Sequence, residues 1–301
     1  MPENSGQNDS EIPLCPRPVV LFLLDGWGVT AATEANAIAG AKMPFFSKLL
    51  KEYPVALLET GAKSINARYL SLGSGCDLDD ENQERALTLT SLVSAAGLKQ
   101  VKITETERLA ALTHFFNGHV ENRAPKEDWL IVSSEAGGHV VKPTLALKRI
   151  AKKLIEVLEQ EEICHLIIVS IPTLDLVARG GDLIAAQKAA NTLDKSLKKI
   201  ISKILDKKGL ALISAAHGNA EKMRQPGIDV IDTEITANPV PLILVGEEFK
   251  SRNIGWADPL NNDLSLLAPI GSLADLTPTI LEIMGLAKPT EMKGHSLLEN
   301  K

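Results

Sequence analysis

VVLFLL (Val19–Leu24) runs without a break into Asp25-Gly26-Trp27-Gly28. An apolar, β-branched run of this length predicts a strand buried on both faces, as in a parallel sheet. An acid and two glycines follow at the strand end, where open parallel sheets gather their ligands. The same reading extends to Trp129–Ser133, His165–Ile171, Leu210–Ser214 and Pro241–Gly246, with Val55–Thr60 as a further strand. Amphipathic stretches lie between them: Met43–Tyr53, Glu107–Phe116, Leu145–Leu158, Leu183–Asp206 and Asp275–Met284. Proline near the first turn of one, and glycine after others, mark helix entries and exits. The lysines of the two longest read as a solvated face. Strand alternating with helix predicts a doubly wound α/β domain, its mostly parallel sheet carrying helices on both faces.

Composition sets the outer bounds. The 301 residues are 45% hydrophobic and 23% charged, with a net charge of −6, so a sizeable core is expected. A mildly acidic chain lacks the electrostatic footprint of a partner for duplex nucleic acid or an anionic membrane. Cys15, Cys76 and Cys164 are odd in number and widely spaced, which argues against a disulfide framework or thiolate zinc site and for a reducing, cytoplasmic setting. Residues 1–17 are polar and read as a disordered leader; residues 18–298 read as a single domain. Within it Cys76–Arg85, CDLDDENQER, breaks the apolar pattern and reads as an exposed linker over 76–86.

Three strand ends carry candidate chemistry. Val19–Leu24 leads to Asp25, HLIIVSIPTL leads to Asp175, and LALISAA leads to His217-Gly218-Asn219-Ala220-Glu221. Two carboxylates and an imidazole suit a hard or borderline divalent metal. Each residue taken alone is equally a turn, cap or packing residue.

The words around these residues make a more specific match. LDGWG, NAIAGAKMP, GLKQVKITETERLAALTHFFNG, HGNAEKM, NPVPLILVG and LADLTPTILEIMGLAKPTEMKGHSLL resemble, in order, the cofactor-independent phosphoglycerate mutases of the alkaline phosphatase superfamily. The resemblance implies an alkaline-phosphatase-like domain with two manganese ions, a serine that becomes phosphorylated, and an inserted domain that completes phosphate transfer between hydroxyls of phosphoglycerate. Paired divalent ions would neutralise the phosphate and activate the serine.

This chain departs from that pattern at its chemical positions. Leu70–Gly75 resembles the stretch after the family's serine loop, but Gly61–Tyr69 reads as too short for the loop and lacks its GNSEVGH-like word, so Ser64 and Ser71 are poor nucleophiles. Of the implied metal ligands Asp25, Asp175 and His217 remain, whereas Ala216, Arg179 and Ile235 stand where an aspartate and two histidines are expected. Catalytic metal sites usually need about three protein ligands, and three remnants split between two sites fall short. Only residues 76–96 occupy the place of the inserted domain, and Arg108 stands where the family has an active-site lysine.

The expected function is therefore that of a catalytically inactive relative with a binding or regulatory role, without a cofactor, whose partner is a protein or a phosphorylated small molecule. The alternative is residual metal-dependent phosphohydrolase or mutase activity on one manganese or other divalent ion, with His139 or Asp182 completing the remnant ligands. Assembly with an active mutase is a third role. Two strand-end acids without a cation repel each other. Arg179 is accordingly expected to replace metal charge, bridging Asp175 and possibly Asp25.

Overall fold

A computed structural model describes residues 18–134, 144–162, 164–225, 230–254 and 256–298. The expected leader, Cys15 and His139 lie outside the described residues. The strands are β1 (Val19–Leu23), β2 (Val55–Glu59), β3 (Gln100–Glu105), β4 (Glu127–Val132), β5 (Leu166–Ser170), β6 (Leu210–Ser214), β7 (Val240–Val245) and β8 (Gly271–Ser272). They form one sheet in the order β4-β3-β5-β1-β6-β7-β2-β8. Pairing is parallel from β4 through β6; β7 runs antiparallel to both β6 and β2, and β2 pairs parallel with β8.

The helices are α1 (Pro44–Glu52), α2 (Ile65–Ser74), α3 (Leu89–Ala95), α4 (Leu145–Leu158), α5 (Thr173–Ala178), α6 (Leu183–Asp206) and α7 (Leu276–Ile283). Their contacts sort them into two layers. One joins α1, α4 and α5 to the long α6 over β3, β6 and β7; the other joins α2, α3 and α7 with the 106–116 segment. β1, β5 and β6 are buried along their whole length, because helices cover both faces and their apolar side chains meet no water. The doubly wound expectation holds, as do the helices over Leu145–Leu158 and Leu183–Asp206.

Three local expectations are corrected. β4 lies at the sheet edge and is half-exposed, with Ile131 open to solvent, so it is not a doubly buried strand. The expected helix over Glu107–Phe116 is instead a 3-10 turn (Thr106–Arg108) leading into a π-helical turn (Ala111–Phe115). Its end abuts α2 so closely that a Cβ on Gly73 would lie 1.9 Å from the Phe116 carbonyl oxygen. The Cys76–Arg85 stretch has no regular structure and is mostly exposed, but Cys76 and Leu78 are buried.

Candidate functional site

The carboxyl ends of β1, β5 and β6 lie side by side, since β1 pairs with both neighbours. Asp25 follows β1, Asp175 sits in the first turn of α5 just past β5, and His217 follows β6. All three side chains are fully buried. His217 Nε2 lies 4.0 Å from Asp25 Oδ2 and 3.9 Å from Asp175 Oδ2. Its Nδ1 faces the Gly218 carbonyl at 3.1 Å, which places a proton on that nitrogen. Nε2 makes no hydrogen bond.

The cation between the two acids is Arg108. Its Nε donates to Asp25 Oδ2 at 3.0 Å, and its Nη2 donates to Asp175 Oδ2. The residue is 8% exposed. It reaches this position from the 3-10 turn that ends β3, beside β5 in the sheet. Burial disfavours its charge, but the adjoining carboxylates of Asp25 and Asp175 outweigh that and raise its pKa above the usual guanidinium value.

Arg179 takes a smaller part than expected. One helical turn beyond Asp175, its Nε donates to Asp175 Oδ1 at 3.0 Å, while its side chain is 39% exposed. The link to both acids is made by Arg108, because a residue four positions along the same short helix can reach Asp175 alone. Asn219 Nδ2 also donates to Asp175 Oδ1, at 2.9 Å. Burial would push the Asp175 carboxyl up, but the neighbouring His217, the charges of Arg108 and Arg179, and the Arg179 hydrogen bond hold it below the ordinary carboxylate value.

Asp25 is held from two further directions. The Ala216 amide donates to Oδ1 at 3.3 Å and the Tyr69 hydroxyl to Oδ2 at 2.7 Å. Tyr69 in turn accepts from Ser170 Oγ, at 2.7 Å. Tyr69 and its neighbour Arg68 come from α2 and are both buried. Burial lowers Arg68 to about 10, against the raising influence of Asp25 and Glu221. Three acids (Asp25, Asp175, Glu221) and three guanidiniums (Arg68, Arg108, Arg179) thus balance within the site.

The words that carry the resemblance converge on Glu221. Its carboxylate accepts from Gly28 N at 3.2 Å, Asn219 N at 2.7 Å, Asn238 Nδ2 at 2.9 Å, and the Thr236 hydroxyl. A Cβ on Gly28 or on Gly218 would each lie 2.4 Å from that carboxylate. Gly26 has φ +91°, and a Cβ there would stand 2.5 Å from Asp175 N. The glycines after Asp25 and His217 are therefore packing requirements of the sheet edge.

The remaining candidates are placed as follows. Ser64 caps α2, accepting from Ala67 N at 3.0 Å, and Ser71 Oγ accepts from Leu78 N at 3.0 Å. The residues before Leu70 are not too few for a GNSEVGH-like word: laid in register against it, Lys63–Tyr69 puts Ile65, the first residue of α2, at the serine position. Asp182 caps α6 through Ala185 N at 2.9 Å, so it is not a ligand of the strand-end site. Ala216 is buried against Asp25, and half-buried Ile235 precedes Thr236. Among the described residues no group of three His, Cys, Asp or Glu side chains is arranged to hold a metal ion. The donors present do not fit a metal pair, because the oxygens that would face it are engaged by Arg108. Sequence reading missed Tyr69 and the bridging part of Arg108; Arg108 was signalled only by its place in TETERLAA.

Comparison with known proteins places this geometry in a family. Residues 17–288 match the Metalloenzyme superfamily. The chain belongs to that superfamily. A 2,3-bisphosphoglycerate-independent phosphoglycerate mutase of Desulforudis audaxviator is 38% identical over 218 residues, 72% of this chain and 39% of the relative. One from Clostridium botulinum is 36% identical over 213 residues, 70% of this chain and 39% of the relative. The chain thus spans about two fifths of the length of these curated relatives. In fold it resembles Leishmania mexicana phosphoglycerate mutase, with a TM-score of 0.75 at 12% identity, covering 95% of this chain and 98% of that one. The alkaline phosphatase of the Antarctic bacterium TAB5 follows with a TM-score of 0.61 at 11% identity, over 91% of this chain and 100% of that one. The fold is that of the alkaline phosphatases, and among the described residues no helix is long and apolar enough to cross a membrane.

Proposed function

We propose that this superfamily member does not catalyse phosphoryl transfer and serves instead as a binding or regulatory protein of the cytoplasm, without a metal cofactor. The observation that carries the reading is the filled strand-end crevice: Asp25, Asp175 and His217 are sealed from solvent with Arg108 laid across both acids. A phosphate ester needs an open, cationic and metal-bearing site beside a nucleophile. Here the serine position holds Ile65, and three expected ligands are Ala216, Arg179 and Ile235. The shortened Cys76–Ala96 connection, in place of an inserted domain, removes a substrate-holding surface in the same reading.

A ligand would not enter the old crevice. A cavity of about 310 Å³ does open beside Trp27, its lining mixing Met43, Phe46 and Leu264 with Asn262 and Asp263. Apolar walls with a carboxylate and no basic side chain suit a small molecule or a partner's side chain better than a phosphate.

The deciding experiment measures interconversion of 2- and 3-phosphoglycerate by the purified chain, with and without manganese, beside the hydrolysis of a simple phosphate ester. No turnover under any condition is the expected result. Manganese-dependent turnover that disappears in Asp25→Ala would establish the residual-enzyme alternative instead.

A further inference from the structure

We propose that Arg108 is a built-in replacement for a divalent cation, and that removing its guanidinium uncovers a metal site made of Asp25, Asp175 and His217. The proposal rests on the reading above that this chain works without metal. The geometry points to it through the identity of the atoms. Arg108 binds Oδ2 of Asp25 and Oδ2 of Asp175, and these are the two oxygens that face His217 Nε2. That nitrogen is fully buried and makes no hydrogen bond, an expensive state for an imidazole in a core.

With Arg108 in place the three donors are not a metal site, but the two spacings from His217 are near those of one. Around a tetrahedral ion with bonds of about 2.1 Å, donors lie about 3.4 Å apart. His217 Nε2 stands 4.0 and 3.9 Å from the two oxygens, so a contraction of about half an ångström would bring each pair to that spacing. The outer partners of a metal site are also in place. Nδ1 of His217 meets a backbone carbonyl, Asp25 is held by Tyr69 and the Ala216 amide, and Asp175 by Asn219 and Arg179. Such contacts fix the tautomer and orientation of ligands. In this chain they orient the same side chains toward a guanidinium.

The exchange has a physical logic. Two buried carboxylates must be neutralised by something, and an ion from solution holds them only while it is bound. A guanidinium supplied by the chain is always charged and always present, and its planar fork can address one oxygen of each acid at once. Arg179, being half in solvent, adds charge to Asp175 without closing the space in front of His217.

The test compares the wild-type chain with R108M, which keeps the unbranched stem and loses the guanidinium with its charge, and with R108M/H217A. Each is stripped with EDTA, then titrated with Mn²⁺ and with Zn²⁺ while melting temperature and bound metal are measured. The wild type should hold no stoichiometric metal, with a melting temperature that neither chelator nor ion moves. R108M should melt about 5 °C or more lower in EDTA and recover with either ion. It should bind one equivalent at least about 100-fold tighter than the wild type, and the added His217→Ala should abolish that gain. If R108M does not fold in EDTA, refolding yield becomes the readout, and equal yields with and without Mn²⁺ overturn the proposal. So does an R108M that melts like the wild type and binds nothing, or a wild type that retains one equivalent of metal. The reading of the previous section fails separately, by turnover in the metal-free wild type, which would leave the part played by Arg108 intact.

Discussion

Lys102 and Glu127 form a 2.9 Å ion pair with neither side chain open to water. They come from neighbouring strands, β3 and β4, and Lys102 also donates to Thr90 Oγ1 at 2.9 Å and to Asn117 Oδ1, with the Phe116 ring 4.9 Å away. Breaking a buried pair by removing one partner is costly, so K102M should lose about 3–5 kcal/mol of unfolding free energy in urea. K102M/E127M should lose less than K102M alone, since no charge is then stranded. A double variant less stable than the single one would contradict this account.

The same pair predicts a pH dependence of definite sign. Burial pushes Lys102 down to about 8 despite the Glu127 charge. Between about 8 and the unfolded value of 10.5 the unfolded chain binds more protons, so this group's contribution to stability rises with pH. Burial alone would raise Glu127, but Lys102 and the Ala124 amide hold it below 4.5, so its contribution is present above 4.5 and is lost as pH falls through the folded value. The difference in urea midpoint between wild type and K102M, followed from pH 7 to 10, should therefore widen on the alkaline side, because the variant lacks the group whose contribution rises there. A difference independent of pH over that range would refute it.

Glu221 ties the loops after β1 and β6 to the segment before β7. Replacing it by alanine leaves the buried donors of Gly28, Asn219 and Thr236 without their acceptor. At about 1–3 kcal/mol for each unsatisfied group, E221A should cost at least about 3 kcal/mol. Glu221→Gln should cost less, since its amide oxygen still accepts. If both variants unfold at the wild-type midpoint, the strand-end words have some role other than packing.

The layered sheet was legible because its signal is local. Val19–Leu24 and Leu210–Ser214 are apolar throughout, and nothing else accommodates such runs so well. β3 was missed for the opposite reason: QVKITE carries Gln100, Lys102, Thr104 and Glu105, and yet every residue is buried. Its polar members are accommodated by partners such as Thr90 and Glu127, which no local window shows. α2 was missed because Arg68, Ser71 and Gly73 obscure its pattern, and it is buried on nearly all sides. The bridging part of Arg108 was illegible on the same ground, since its two acids lie 83 and 67 residues away in sequence. Charge counting at the strand ends implies a cation, and Arg179, standing where the resemblance implies a metal ligand, is the residue it suggests.

Cys164 supplies an independent check on the core. Burial pushes its thiol up to about 12. Relative to an ordinary thiol near 9, the thiolate is then about 1,000-fold scarcer at pH 8, and alkylation by iodoacetamide should be slowed at least as much. Peptide mapping of native and urea-unfolded protein should find Cys164 modified only in the second. Rapid labelling in native protein would show that the end of the sheet next to β5 opens.

Tyr69 carries the most specific optical prediction. Burial and the Asp25 charge raise its phenol well above the usual value of 10, against the lowering influence of Arg108 and Ser170. The hydroxyl thus stays a donor to Asp25 at any pH the fold survives. The chain has two tyrosines, and the second, Tyr53, is also raised, by burial and by Glu247 and Glu52. Absorbance at the phenolate band at pH 10 should accordingly be lower in native protein than in urea, where each unfolded tyrosine is about half ionised. Y69F should shrink the step and also lower stability by about 1–3 kcal/mol, because Ser170 loses its acceptor and Asp25 one of its donors. Combining Y69F with S170A should then cost little beyond Y69F alone, since the two hydroxyls belong to one chain of hydrogen bonds ending on Asp25. Fully additive losses, or a native tyrosine ionising near pH 10 in the wild type but not in Y69F, would place the Tyr69 hydroxyl outside that network.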